Sequence, residues 1–363
     1  MITMSADNQP AFDKAAWKKM VKPYQVPDLR RSLWQLVNSL IPYLLLWYGM
    51  TQTIKISYWL TLPLIFLSAG FLTRLFIIFH DCGHGSFFAS RRANDTVGFI
   101  MGLFNFTPYY FWRHEHAIHH ASSGDLDRRG SGDIWMMSVT EYEASTTWKQ
   151  LVYRLYRNPI ILFGIGPIFL FLILHRIPLK HVRRRETFSI LYTNLALFIA
   201  AIVMSLLIGF RNFAILQLSI LFVTSTLGVW LFYVQHQYEG VYWQRHDEWD
   251  YATAALEGSS FYKLPKVLQW FTGNIGFHHI HHLSPRIPNY NLERCHNENP
   301  LFQIEPVTLW QSLGSLRYRF WDEANNRLIG YREMRQLRAA KGSLASSFIA
   351  PRLASTKSTK VPE

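Results

Sequence analysis

Eight histidines fall in three tight clusters: His80 and His84 in HDCGH, His116, His119 and His120 in HAIHH, and His278, His281 and His282 in HHIHH. The spacings are i,i+4 once and i,i+3,i+4 twice. On a helix each spacing puts the imidazoles of one cluster on one face, a turn apart. Three such faces brought together offer eight nitrogen ligands to a small volume, more than one ion needs and enough for two. Neutral imidazole suits zinc, copper, iron and nickel, so residue type alone does not name the metal. Coordination number narrows the choice. Structural zinc takes four ligands and catalytic zinc three, usually with a cysteine or carboxylate among them. Eight histidines without clustered carboxylates point to a dinuclear site of higher coordination, iron before zinc.

The other histidines divide by position. His236, in FYVQHQYEG at the end of a long apolar stretch, is aimed at the same volume and is read as a ninth ligand. His279 sits between ligands but off their helical face. His114–Glu115 resembles the start of HExxH, but the fourth residue after His114 is Ile118, so the zinc-protease pattern fails. His175, His181, His246 and His296 lie among charged residues and are expected in solvent. Asp81, Asp133 and Asn274 are candidates to orient a ligand imidazole or approach the metal, with local caps as the alternative for Asp81 and Asn274. Asp125 and Asp127 are candidates for the same task or a solvated acidic loop. No catalytic group is expected beyond the metal ligands.

These clusters must be positioned by a membrane-embedded scaffold. The 363 residues are 49% hydrophobic and only 17% charged, below the roughly 25% of soluble domains. The net charge of +13 suits nucleic acid or an anionic membrane, and the apolar spans decide for the membrane. Cys82 and Cys295 make no disulfide framework, and the start of the chain carries no apolar signal-peptide core. Four stretches have the length of a bilayer crossing: residues 32–50, 57–79, 187–210 and 212–234. Six basic residues precede the first (Lys14, Lys18, Lys19, Lys22, Arg30, Arg31) and only Lys55 follows it, so residues 1–31 are expected in the cytoplasm.

All three clusters share a side only if Val97–Trp112 and Pro159–Leu174 do not cross alone; both are read as interfacial or re-entrant helices. The expected fold is all-α: an integral membrane domain, 32–340, with four transmembrane helices in two hairpins. A mainly helical cytoplasmic cap, 80–186 and 235–340, holds the histidine-rich di-metal site. Residues 341–363 form a disordered tail. Arg74, inside the second span, is expected to snorkel to the surface. The run Tyr109–Tyr110–Phe111–Trp112 and Trp135 are expected mainly as interfacial anchors, with an acyl tunnel wall as the second possibility.

The boxes HxxxH, HxxHH and HxxHH over four spans resemble the membrane fatty-acid desaturase family, across about residues 30–335. Flanking text carries the likeness further: FHDCGHGSFF, GDIWMM, GVWLFYVQHQYE and GSSFYKLPKVLQWFTGNIGFHHIHHLSPRIPNYNLERCH. The wording is nearest to bacterial acyl-lipid desaturases of the Δ5 and Δ12/ω-6 kind. The resemblance implies two iron ions on His80, His84, His116, His119, His120, His278, His281 and His282, with O₂ as co-substrate. It implies a cis double bond introduced into acyl chains, in membrane lipid. No cytochrome b5-like segment is evident, so two electrons are expected from a separate donor, a ferredoxin or flavodoxin. The expected location is the bacterial plasma membrane, with both termini and the active site cytoplasmic. A hydroxylase or ketolase on the same scaffold is the alternative. A histidine-rich metal transporter fits poorly, because the last two spans lack a polar path.

Overall fold

The computed structural model describes residues 17–130, 132–178 and 182–349. After a short helix α1 (Trp17–Val21), Asp28 caps the 25-residue helix α2 (Leu29–Thr53) by accepting from the Arg31 N–H. A tight turn leads into α3 (Tyr58–His84), capped by the Ser57 hydroxyl and stopped by Gly85 at φ +70°. Its 27 residues span about 40 Å, longer than the roughly 30 Å apolar layer of a bilayer. The end carrying HDCGH therefore projects beyond such a layer and is buried in protein instead.

The expected single stretch Val97–Trp112 is two helices, α4 (Arg91–Phe104) and α5 (Tyr109–Ser122). They break at Phe106, whose φ is +54°, and Pro108 starts the second. The loop after α5 leads through α6 (Val139–Ala144) to α7 (Thr147–Tyr156), a π-helical turn at Ile161–Ile165 and α8 (Gly166–Leu172). α7 and the segment Ile161–Arg176 meet at 63°. Then come α9 (Arg184–Ile208) and α10 (Phe210–His236), which turn on Gly209 at φ +82°.

Among the described residues three helices, α3, α9 and α10, are long and apolar enough to cross a membrane, and the bent pair built on α7 would make a fourth. Leu195, Phe198, Leu206 and Leu207 on α9 stand exposed, as a lipid-facing surface requires. α2 contains the first expected span but is less apolar than these three.

The remaining chain forms α11 (Tyr251–Glu257), α12 (Lys266–Phe271), α13 (His278–Leu283), α14 (Asn289–Glu298), α15 (Leu309–Gly314) and α16 (Tyr331–Ile349). The cap is not helical throughout. β1 (Met137–Ser138), β4 (Phe320–Asp322) and β5 (Arg327–Ile329) make one small sheet, and β2 (Phe261–Lys263) pairs in parallel with β3 (Pro306–Thr308). Residues 341–349, assigned from sequence to a disordered tail, continue α16; residues 350–363 and His181 lie outside the described residues.

Two sequence expectations are overturned by burial. Arg74 does not snorkel: it is 7% exposed. Its Nε donates to Ser39 Oγ at 3.1 Å, its Nη1 donates to the Trp270 carbonyl, and it lies 3.9 Å over the Trp270 ring. A guanidinium so partnered needs no route to water. The Tyr109–Trp112 run packs inward rather than anchoring an interface: the Tyr109 hydroxyl donates to the Cys82 carbonyl at 2.7 Å, and Phe111 is buried.

Candidate metal centre

Close helix approach brings the first two clusters together. Gly83, inside HDCGH, faces the Trp112 ring of α5, and a Cβ there would stand 2.9 Å from it. The missing side chain lets α5 lie against the end of α3. The third cluster comes from α13, only six residues long and buried at every position. The end of α10 supplies His236.

Nine histidines converge in two groups. His80, His84, His116, His120 and His281 form one; His119, His236, His278 and His282 form the other. Within each group one ligand nitrogen per residue lies within 4.8 Å of all the others, a set that could hold a metal ion. The groups adjoin: His120 of the first stacks on His282 of the second, with ring centroids 4.1 Å apart and planes 20° from parallel. His236, outside the boxes, thus meets the others as the sequence suggested.

The donor chemistry fits a cation. Nε2 of His116 and His120 lie 3.1 Å apart, those of His120 and His281 3.0 Å, and those of His236 and His278 3.0 Å. Two nitrogens each about 2.1 Å from one ion, at a right angle, would stand about 3.0 Å apart. Nε2 of His80, His84, His119 and His282 is buried without a hydrogen-bond partner. Orphaned buried polar atoms are costly, and a shared ion removes that cost. Burial pushes the imidazoles of His116, His120, His278, His281 and His282 well below their ordinary pKa, and neighbouring histidines push them further. They are neutral at physiological pH, the state that donates a lone pair.

Three of these rings are held from behind. The Nδ1–H of His119 donates to Asp133 Oδ1 at 2.6 Å, that of His80 to Asp81 Oδ1 at 3.1 Å, and that of His236 to the Gly258 carbonyl at 3.2 Å. Each bond fixes the tautomer that turns Nε2 toward the cluster. Gly132, at φ +74°, lets the loop pass 3.2 Å from Glu115 O and His119 Cβ, as measured from where a Cβ would stand. Asp81 also accepts from the Asn289 backbone N–H at 2.7 Å and its side-chain amide at 2.8 Å. Asn289 was not foreseen; it follows a proline at the start of α14, and no local pattern ties it to a histidine box.

Other candidates do different work. Asn274 bonds no imidazole: its amide accepts from Gln269 and donates to the Asn289 carbonyl, so it braces the Asp81 partner. Asp125 accepts from His246 Nδ1 at 2.8 Å and Asp127 pairs with Arg245 at 2.6 Å. His175 and His296 are buried, 8% exposed each, rather than solvated. His175 packs against Phe111 and Phe171, and His296 against Phe261 and Phe277. His279 donates through Nε2 to the Phe302 carbonyl at 2.8 Å, and burial lowers its pKa to about 3.

A cavity of about 600 Å³ is lined by Ile134, Trp135, Met136 and Met137, by Arg129, Glu141 and Lys149, and by Asp133, which accepts from His119 of the second group. A small hollow against Phe232, His236 and Gln237 shares Asp133 and Ile134 with it.

A helical fold with apolar helices long enough to cross a membrane gathers nine histidines, seven of them buried, into two adjoining groups that could each hold a metal ion. The fatty acid desaturase family model matches residues 57–310. A fatty acid desaturase of Bacillus subtilis (strain 168) is 48% identical over 320 residues, 88% of this chain and 91% of that protein. An sn-1 oleoyl-lipid 12-desaturase of Synechocystis sp. is 30% identical over 268 residues, covering 70% and 73%. An sn-1 acyl-lipid omega-3 desaturase (ferredoxin) of Synechocystis is 28% identical over 279 residues, covering 73% and 71%. The chain belongs to the fatty acid desaturase family, a family of membrane-bound oxidoreductases.

Proposed function

We propose that this chain is an O₂-dependent acyl-lipid desaturase whose nine histidines hold two iron ions. His80, His84, His116, His120 and His281 serve one ion; His119, His236, His278 and His282 serve the other. The carrying observation is nine histidines, seven of them buried, in two adjoining groups, four of them with an unpartnered Nε2. Iron with O₂ supplies the oxidant for hydrogen removal from an unactivated methylene, which no side chain can provide. The overall change converts R–CH₂–CH₂–R′, O₂, two electrons and two protons to R–CH=CH–R′ and two waters.

The residues contribute position and dryness. Asp81 and Asp133 hold His80 and His119 in one tautomer, and the Gly258 carbonyl does so for His236. The cavity walled by Ile134, Trp135 and Met137 reaches Asp133, the hydrogen-bond partner of His119, and is the candidate entry for an acyl chain, with Arg129, Glu141 and Lys149 on its polar side. A chain fixed there brings one pair of methylenes near the cluster and excludes water, so position replaces any need for a general base. The names of the cyanobacterial relatives support lipid-borne acyl chains, and one of them a ferredoxin as donor. Two hairpins, α2 with α3 and α9 with α10, with the histidine end and both termini cytoplasmic, fit the distribution of basic residues.

The test is the fatty-acid profile of a bacterial host expressing the chain, with double bonds located by mass spectrometry of derivatised lipids, beside a His119→Ala version. A new unsaturated acid seen only with the intact chain is the expected result. A hydroxy or keto acid would assign the sister chemistry. No product with an electron donor supplied would overturn the proposal.

A further inference from the structure

Two electrons must reach a centre in which seven of nine histidines are buried. At the histidine end of the molecule, surface aromatics and positive charge coincide with the backbone of one of the clustered histidines. Tyr251, at the start of α11, donates its hydroxyl hydrogen to the backbone carbonyl of His282 at 2.7 Å. His282 is a member of the four-histidine group. Two half-exposed indoles flank Tyr251: Trp17 of α1 at 6.2 Å and Trp249 at 6.3 Å between ring centroids. The path from solvent to the histidine group therefore runs through an indole, a phenol, one hydrogen bond to the His282 backbone carbonyl and the covalent link to its imidazole.

The charge around this path is arranged by α1. Val21 and Tyr24 turn inward onto Leu283 and Ile287, which seats the segment over the outer side of α13. Gln25 reinforces the seat by donating to Ser284 Oγ at 2.8 Å. Lys18, Lys19 and Lys22 are left exposed, and Arg286 is exposed on the loop directly after α13. The neighbouring acidic groups are largely engaged. Glu298 pairs with Arg294 and accepts from Tyr24, and Asp250 caps α11. Asp247 and Glu248, exposed on the turn before Trp249, form an acidic margin.

We infer that the Lys18–Lys19–Lys22 face of α1, with Arg286, is the docking surface for a small acidic one-electron carrier of the iron–sulfur class, and that Trp17 and Tyr251 lead its electrons to His282. This rests on the desaturase reading, which requires such a donor. Each docking delivers one electron from the reduced carrier, and two dockings complete a turnover. Electron-transfer partners meet through small, charged, short-lived interfaces, and complementary charge governs their encounter. A membrane surface is the other user of lysines. Here Val21 of α1 is buried and Trp17 and Met20 pack partly against the same cluster, so the exposed part of the helix is dominated by its lysines rather than by the broad apolar face of an interfacial anchor.

The test uses the full chain in phosphatidylcholine nanodiscs and an acidic [2Fe–2S] ferredoxin as probe. A Lys18→Glu/Lys19→Glu/Lys22→Glu variant should bind oxidised ferredoxin about tenfold more weakly or worse, with a shallower salt dependence. Tyr251→Phe should keep both the binding constant and the metal content, and slow single-turnover oxidation of reduced ferredoxin about tenfold. Unchanged affinity in the charge variant overturns the docking surface. An unchanged rate in Tyr251→Phe overturns the path. If the charge variant loses only its affinity for phosphatidylglycerol vesicles, the lysines serve lipid and the inference falls. Binding is read without turnover. A desaturase that docks its carrier elsewhere is thus distinguished from a chain that desaturates nothing.

Discussion

Asp133 accepts a 2.6 Å hydrogen bond from His119 Nδ1, fourteen residues before it. Asp81 does the same for its neighbour His80 at 3.1 Å. His119 belongs to the four-histidine group and His80 to the five-histidine group. Each group therefore has one carboxylate-backed imidazole, and Asp133 reaches its partner only because Gly132 takes a positive φ.

Replacing Asp133 should loosen the second group while sparing the fold. Asp133→Asn is nearly isosteric but removes the charge that strengthens this bond. Loss of such a partner typically costs about 10–100-fold in metal affinity or activity. Chelator competition, with iron measured per folded protein, should show one ion held more weakly and the other unchanged. Equal loss of both ions would contradict the assignment of Asp133 to one group.

His236 and His279 offer a paired test, because both are buried histidines and only one joins a ligand group. His236→Ala should lower the metal content from two ions toward one and abolish product. His279→Ala removes the bond to the Phe302 carbonyl and should cost stability, about 1–3 kcal/mol for a buried acceptor left unpaired, with metal per folded protein preserved. Metal analysis together with thermal unfolding separates the two.

What could be read from the chain beforehand was what is local. Ligand spacing in a helix is written within five residues, so the eight box histidines and the one at the end of α10 could be picked out. Partners distant in sequence could not. Arg74 was read as a snorkelling cation because nothing near it announces Ser39 or Trp270, 35 and 196 residues away. Asn289, which grips Asp81, sits 208 residues from it. The aromatics at Tyr109–Trp112 misled for another reason: Tyr and Trp at the end of an apolar stretch look alike whether they face lipid or core.

Chelation should destabilise the histidine end selectively. α13 has six residues and cannot be stable by itself, and four of its side chains are histidines of the third cluster or its insert, His278, His279, His281 and His282. A bound ion stabilises the folded state by mass action. After iron removal, hydrogen exchange across residues 278–283 should rise well above that of the buried middle of α3, and the apparent melting temperature should fall. Uniform exchange throughout would contradict this.

Arg157 is 1% exposed and carries its charge without a carboxylate partner among the described residues. It donates to the carbonyls of Trp135 and Tyr318 and to the Gln237 side chain, at 3.3, 3.0 and 3.1 Å. These bonds tie the Asp133 loop, the end of α10 and the β4 approach together. Arg157→Met should leave the Trp135 carbonyl and the Gln237 side chain without this donor, at about 1–3 kcal/mol each, and lower the unfolding temperature by several degrees; the Tyr318 carbonyl keeps Arg319 and Tyr233 as donors. Activity per folded protein should fall too, since both His236 and the Asp133 loop are released. A variant as stable as the parent would show that water replaces the guanidinium.

Ile134 tests the acyl path, because it lines both the 600 Å³ cavity and the hollow against His236. A larger side chain there should close the passage without touching a ligand. Ile134→Phe adds volume in a packed wall, which costs about 1–3 kcal/mol through overpacking, so stability must be measured beside activity. The expected outcome is at least a tenfold loss of unsaturated product with both ions retained. Ile134→Ala removes the constriction and should keep turnover, but it lets the chain slide. The double bond should then be placed less uniquely, which mass spectrometry of the derivatised lipids would report as more than one positional isomer. If Ile134→Phe desaturates normally, the chain reaches the histidines by another route, and the cavity beside Trp135 has a different occupant.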